Sequence, residues 1–451
     1  MRLRDQCLTI KEFKLKLGHM IDRSQLAHHI DQWIQMVIES GVEVLELQLI
    51  SGAKGHWYNV PLCLTEAKSL TKLVLSGEIR LDPAFLNHSL KFFSMKTLSL
   101  SHILFGDEGV MEHFISHCPL IEHLTLDFCY VYNSLSIGHP RTYPVKSLSL
   151  HGLQKLKGAD VQGIVEVYID APNLENLRYR APLHGNVSYK LNFDSCTNLK
   201  CLNLCSLWKP DKWLLELLYK IPFLESLALN KCHLSKRIDI SGPQLKFFEL
   251  SYCYNVKEVN IDAPNLLSCD YSEEVGEGKP AISFLRNSNQ LEFNVYLAVG
   301  HWHPYSLREF LRNVKPQEFG ESQSVLEVSS PLPSMKHVQL GFHMTNKADY
   351  FPLMNWLLSS CFPETISFSL KSYFKAFIVF FYEMLTDKKK RERYLRRYHR
   401  SWRHKCCWHG LKVVKVTHLE RTYENVEDFK AILDALPETC VEEYVSFVLK
   451  L

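Results

Sequence analysis

Apolar residues recur along this chain in one short phrase: apolar, two arbitrary residues, apolar, one residue, apolar, with leucine favoured throughout. Copies read VEVLEL from Val42, LTKLVL from Leu70, MKTLSL from Met95, IEHLTL from Ile121, VKSLSL from Val145 and LENLRY from Leu174. They continue as LKCLNL from Leu199, LESLAL from Leu224, LKFFEL from Leu245 and LLSCDY from Leu266. MKHVQL from Met335 and LKVVKV from Leu411 follow a less regular stretch. Strand alternation sends the last two apolar residues of each phrase inward and their neighbours outward, so each phrase is predicted to be one short strand. Between phrases the period changes. Val110, Met111, Phe114 and Ile115, and later Trp213, Leu214, Leu217, Leu218 and Ile221, keep helical spacing, with Pro119 and Pro222 expected to end those helices.

From Val42 to Leu266 the phrases start about 21 to 29 residues apart, the period of leucine-rich repeats. One such unit cannot bury its apolar face alone, so neighbours must stack. The predicted fold is α/β: a leucine-rich-repeat solenoid with a curved parallel sheet on the concave side and helices or extended segments on the convex side. The extended type is marked by IDAPNL at residues 169–174 and 261–266 and by ISGPQL at 240–245. The alternating VEVYI and VKEVNI before the two IDAPNL copies are predicted to be outer strands. Residues 1–41 hold FKLKL from Phe13 and a helical stripe of Ile30, Trp33, Ile34, Val37 and Ile38, predicted as an N-terminal cap or first repeat. The array is expected over 42–350, and a divergent C-terminal segment over 351–451, with a helix at 426–436 and a last strand YVSFVLKL.

Bulk properties narrow the classes. A chain of 451 residues exceeds the size at which one compact core stops growing, and the repeats favour an array over several globular domains. A net charge of +3 is too small to imply a nucleic-acid or membrane partner without a local basic patch. Fourteen cysteines are too sparse for a disulfide scaffold. Cys129, Cys232 and Cys253 stand where the repeat accepts Asn or Cys, and are expected to be buried, reduced thiols. No apolar stretch follows the charged start MRLRDQCLTI, and the most apolar run, 376–385, is about half a bilayer span. An intracellular location, cytoplasmic or nuclear, with no membrane partner is expected.

The phrases HCPLIEHLTLDFC, IDAPNLENLRY and SGPQLKFFELSYC resemble those of plant F-box/leucine-rich-repeat proteins, including members with a C-terminal FBD-type segment. CLTIKEFKL followed by IDQWIQMVIESGVEVLELQL resembles the stretch which that family places just after its F-box, and SSCFPETISFSL with the last strands resembles a diverged FBD-type end. The resemblance implies a substrate-recognition part of an SCF-type ubiquitin ligase, binding a target protein on the concave face. In the family the F-box binds a Skp-type adaptor; nothing before Cys7 can hold it, so adaptor and cullin are expected partners only if an F-box stands upstream. Some plant F-box solenoids hold a hormone or inositol phosphate, which makes a small-ligand-assisted receptor an alternative.

Catalysis would need a nucleophile with its base, a metal set or a phosphate loop, and none is legible, so no enzyme, cofactor or metal is expected. Gly276, Gly278 and Lys279 imitate a phosphate loop, but Glu273 replaces its first glycine and Pro280 the residue that would hold magnesium. His404, Cys406, Cys407 and His409 lack the loop between paired zinc ligands and a second pair. A basic run over 388–405 carries Lys388, Lys389, Lys390, Arg391, Arg393, Arg396, Arg397, Arg400, Arg403 and Lys405, interleaved with Tyr394, Tyr398 and Trp402. It reads as a solvated helix, a nuclear-import signal, or a contact for nucleic acid or an acidic partner.

The better binding candidate is the concave face. Outward positions place there His123, Thr125 and Asp127, then Ser147, Ser149 and His151, then Asn176, Arg178 and Arg180. Asn203, Ser226, Asn230, Phe247, Glu249, Ser268 and Asp270 follow. Arg178 and Arg180 sit mid-array, and Arg and exposed aromatics most often anchor interfaces.

Overall fold

The structure, a computed structural model, describes residues 10–18, 23–50, 57–133, 141–182, 189–208 and 213–274. Beyond these it describes 281–286, 288, 291–299, 315–316, 337–342, 350–351, 354, 358, 365–369, 375–398, 412–418, 421–423 and 444–450. The chain divides into two compact units, Met1–Leu207 and Trp208–Leu451.

In the first unit the main sheet is parallel throughout, running from Glu12–Leu17 through Val44–Leu49, Lys72–Gly77, Thr97–Ser101 and His123–Asp127. It continues through Gly158–Gln162 and Asn176–Arg180 to Cys201–Cys205. Alternate residues such as Leu45, Leu47, Leu73, Leu75, Leu98 and Leu100 are fully or almost fully buried. At about 1.5–3 kcal/mol for each large apolar side chain taken out of water, these stripes are the main source of stability. They pack against a second layer: helices Arg23–Glu39 and Glu108–Ser116, then short strands including Leu104–Phe105, Tyr130–Asn133, Ser147–Leu150 and Glu166–Ile169. Ile30, Ile34 and Val37 are the buried stripe of the first helix. The strand Glu12–Leu17 pairs directly with Val44–Leu49, so the N-terminal strand and helix form one further coil of the array.

The second unit repeats the plan with parallel strands Ser226–Asn230, Phe247–Ser251, Ser268–Glu274, Glu292–Val299, His337–Phe342 and Thr365–Ser369. Opposite them lie helix Trp213–Lys220 and the parallel strands Arg237–Ser241, Glu258–Asp262, Ala281–Arg286 and Lys315–Pro316. The strands predicted before the IDAPNL hexapeptides are therefore present, and an equivalent strand precedes the ISGPQL variant. Farther on, the apolar run around Phe377, Phe381 and Met384 forms the buried helix Lys375–Thr386, whose Phe377 and Phe381 rings pack against Phe368.

One turn precedes the phrases in both kinds of unit. The Ile121 amide donates to Cys118 O at 3.2 Å, Leu224 to Ile221 at 3.3 Å, Leu174 to Ala171 at 3.0 Å and Leu266 to Ala263 at 3.0 Å. Pro119, Pro222, Pro172 and Pro264 occupy the second position of these turns, where a fixed φ near −65° and a missing amide cost nothing. Pro119 and Pro222 thus shape a turn that helix-free coils share, rather than acting only as helix breakers. In IDAPNL-type coils the following Asn locks neighbours together: Asn173 Nδ2 donates to Gln154 O at 2.8 Å, and Asn265 Nδ2 to Pro243 O at 2.7 Å.

Two phrases depart from expectation. VKSLSL does not join the main sheet; Ser147–Leu150 pairs with Glu166–Ile169 in the second layer. The hairpin of Tyr130–Asn133 with Arg141–Pro144 lies in that layer, and VKSLSL begins at the next residue, with no connection long enough to cross. Its place beside His123–Asp127 is taken by Gly158–Gln162. LKVVKV is likewise no parallel rung: Lys412–His418 runs antiparallel to Tyr444–Lys450, which closes antiparallel on Thr365–Ser369. The helix expected at 426–436 lies outside the described residues.

Candidate recognition face

Register on the first unit's main sheet stacks Thr125, Asp160, Arg178 and Asn203 in one row and Asp127, Gln162, Arg180 and Cys205 in the next. They alternate with buried Leu124, Leu126, Ala159, Val161, Leu177 and Tyr179, so both rows stand on the face turned away from the second layer. Five of the expected residues, Thr125, Asp127, Arg178, Arg180 and Asn203, meet here. His151 does not. It is exposed just beyond Ser147–Leu150, and with Ser147 and Ser149 it belongs to the second layer for the reason given above.

Asp160 and Gln162 fill the vacated rung. Arg178 Nη1 lies 3.8 Å from Asp160 Oδ2, and Gln162 Nε2 donates to Asp160 Oδ1 at 3.0 Å. Burial raises the Asp160 carboxyl above its ordinary value; Gln162 and Arg178 oppose that rise and the Asp127 charge adds to it. Asp127 accepts from Ser101 Oγ at 2.8 Å, with His102 Nε2 4.0 Å away. Arg180 is half-buried, and its guanidinium makes no ion pair among the described residues. Gly158 lies beside them: a Cβ there would stand 2.9 Å from Nδ1 of the exposed His123 ring, which would have to turn aside.

Among the described residues, the second unit's face carries the carboxylates Glu249 and Asp270 beside a large apolar group. Phe247 is 48% exposed. Glu249 accepts from Ser251 Oγ at 2.7 Å, and Asp270 accepts from Asn294 Nδ2 at 2.7 Å and Ser268 Oγ at 3.3 Å. At the strand edge beyond it, the exposed rings of Trp208 and Tyr254 flank His233 on successive coils, joined by isolated parallel bridges. Sequence reasoning missed this aromatic edge because these residues lie past the ends of the phrases.

Other charges are taken up between coils. Lys157 Nζ reaches Glu122 at 2.8 Å, Lys200 reaches Glu175 at 3.3 Å and Lys246 reaches Glu225 at 2.7 Å, all at the position after the first apolar residue of a phrase. The expected thiols behave as backbone donors: Cys129 Sγ to Leu100 O at 3.4 Å, Cys232 Sγ to Asn230 O at 3.4 Å, Cys253 Sγ to Leu229 O at 3.3 Å. All three are thiols rather than disulfides; Cys129 and Cys232 are buried and Cys253 half-buried.

The basic run begins as the helix Lys388–Tyr398, capped by Asp387 Oδ1, which accepts from the Lys390 amide at 3.0 Å. Lys390 pairs with Glu383, and Arg391 Nη1 donates to Leu385 O at 3.4 Å. Tyr394 packs on Phe351 and Phe380, with centroids 6.0 and 5.4 Å away, so this ring is not offered to a base. Lys388, Lys389 and Arg393 are exposed. The side chains of Arg396 and Arg397, residues 399–411 with His404, Cys406, Cys407 and His409, and the glycine turn at 275–280 lie outside the described residues. Among the described residues no group of His, Cys, Asp and Glu is placed to hold a metal, and no helix is long and apolar enough to cross a membrane.

Parallel strands one per coil, a leucine stripe beneath them, and a Cys-bearing bend after several of them define a leucine-rich-repeat protein with an α/β solenoid fold. The chain belongs to the At1g61320/AtMIF1-type leucine-rich-repeat family, whose model matches residues 4–191 and 185–420. It is similar to F-box/LRR-repeat protein At2g42720 of Arabidopsis thaliana, 30% identical over 182 residues, which is 38% of this chain and 40% of that protein. It is also similar to F-box/LRR-repeat protein 13, 30% identical over 169 residues, 36% of this chain and 34% of the relative. F-box/FBD/LRR-repeat protein At1g13570 is 36% identical over 99 residues, 22% of each. Both are also from Arabidopsis thaliana. The chain thus spans less than half the length of these relatives, and they are of the plant F-box/LRR kind that its phrases resemble.

Proposed function

We propose that this chain is a protein-recognition scaffold, the target-holding part of an F-box-type ubiquitin-ligase receptor, which binds its target on the exposed face of the main sheet. The observation that carries this reading is the face itself. Polar and charged side chains stand in registered rows over a buried apolar sheet in each unit: the first offers Arg180, which makes no ion pair among the described residues, and the second offers Phe247, 48% exposed. Arginine and exposed aromatics on a rigid backing are what interface anchors consist of. The F-box names of the relatives support delivery to a Skp-type adaptor and cullin, a contact that an F-box upstream of the repeats would make. On this reading the protein works inside the cell, in cytoplasm or nucleus, and the repeats present the target without chemistry of their own.

Affinity capture from plant-cell extract tests it, comparing wild type with Arg178→Glu/Arg180→Glu and with Phe247→Ala/Glu249→Lys. Co-captured protein should fall at least about tenfold for a hot-spot loss of the usual size. Lys257→Ala, on the exposed second layer, should leave capture unchanged. Undiminished capture by both sheet-face variants would sink the reading.

A further inference from the structure

The charges on the first unit's sheet face specify what kind of segment it accepts, an inference that rests on the reading of this face as the target site. Of Asp127, Asp160, Arg178 and Arg180, two neutralise one another: Arg178 and Asp160 stand 3.8 Å apart, and Gln162, only 9% exposed, turns its amide to Asp160. That leaves Asp127 and Arg180. They belong to one row, Asp127–Gln162–Arg180, and are separated by two strand spacings, about 10 Å. Asp127 accepts from Ser101 Oγ at 2.8 Å and has only the His102 ring, 4.0 Å away, as a basic neighbour, so no Lys or Arg lies within ion-pair distance of it, and no carboxylate within that distance of Arg180, among the described residues.

Opposite charges held apart on a rigid sheet cannot relax toward each other, and their partly buried state makes each seek a counter-charge. A polyproline II segment rises about 9 Å in three residues, and its threefold period returns the side chain three positions on to the same face. We propose that this face reads a target segment with a basic and an acidic residue three positions apart, Lys or Arg over Asp127 and Asp or Glu on Arg180. A carboxylate fits better than a phosphate. Its two oxygens match one guanidinium fork, whereas a phosphate carries close to two charges. The second of those charges would face Asp160 and Asp127, and Arg178 is already paired.

Peptide arrays probed with the full chain test this directly, using K-x-x-E, K-x-x-Q, Q-x-x-E, K-x-E, K-x-x-K and K-x-x-phosphoserine in common flanks. The wild type should retain K-x-x-E at least tenfold over the other five. Arg180→Gln should abolish that preference, and Arg180→Glu should move it to K-x-x-K, a gain that misfolding cannot produce. Equal retention, preference for phosphoserine, no retention of any peptide, or a K-x-x-E preference that survives Arg180→Glu would each overturn the proposal. If the preference is absent while extract capture still falls for the sheet-face variants, the charge pattern is wrong and the target site stands. If neither changes, the target site itself lies elsewhere.

Discussion

A Cβ placed on Gly77 would lie 2.0 Å from the carbonyl oxygen of Leu49, its registered neighbour on the adjacent strand. Gly77 also has φ of +97°, a conformation side chains rarely adopt. The same left-handed bend follows later strands at His102, Phe128, Lys231 and Tyr252, with φ between 45° and 57°, values a side chain can occupy. At Gly77 the obstacle is backbone, which no rotamer change relieves. Gly77→Ala is expected to destabilise the first unit by about 2 kcal/mol or more. A urea midpoint equal to wild type would refute this.

Burial pushes the Cys129 and Cys118 thiols up to about 12. In the unfolded chain these thiols titrate near about 8.5. A group whose folded pKa is raised keeps its full contribution below the unfolded value and loses it as pH climbs toward the folded one. Stability should therefore fall between about pH 8.5 and 12, and Cys129→Ala, though less stable at pH 7, should show a shallower alkaline decline. Denaturation midpoints at pH 7 and pH 10 decide it; parallel declines would remove Cys129 as a contributor.

The main sheet was legible because burial imposes its period on every coil: a strand that shows one face to the core must place apolar residues at alternate positions. That requirement does not say which layer a strand joins. VKSLSL satisfies it in the second layer, while the true rung, Leu156-x-x-Ala159-x-Val161, was hidden by its small residues. Spacing held the answer. The interval from Ser147 to Gly158 matches those from Glu166 to Asn176 and from Arg237 to Phe247 within one residue. Losing that rung lost Asp160 and Gln162, the centre of the face, and gained His151 wrongly. The antiparallel close at Lys412–His418 was illegible for another reason: alternation is the same for either strand direction.

The exposed and engaged halves of the basic helix should separate experimentally. Tyr394→Ala removes a ring packed on Phe351 and Phe380 and is expected to cost about 1–2 kcal/mol, below a fully buried aromatic because Tyr394 is half-exposed. Lys388→Ala and Lys389→Ala should change stability by less than about 0.5 kcal/mol. Thermal melts of the three variants check this. Because Lys390 and Arg391 contact Glu383 and Leu385, a test of nuclear import should replace Lys388, Lys389 and Arg393 only.

Asp160 is held where ionisation is unfavourable, and that bears on why the residue is there. Its folded carboxyl is raised above the unfolded value, chiefly by burial. Stability is then complete below about pH 3.9, where both states are protonated, and falls as pH rises through the folded value. Asp160→Asn keeps the oxygen that accepts from Gln162 and removes the charge. The variant should therefore gain on wild type as pH is raised from 3 to 7, and at neutral pH be at least as stable. It also frees Arg178, leaving two unpaired guanidinium groups beside each other. On the proposed face this should blunt discrimination between carboxylate and phosphate, because the negative charge that disfavours a dianion is gone. Denaturation midpoints across that pH range, paired with the K-x-x-E and K-x-x-phosphoserine peptides, measure both effects. A stability gain with unchanged discrimination would assign Asp160 to folding strain alone, and a stability loss at neutral pH would show its ion pair with Arg178 to outweigh burial.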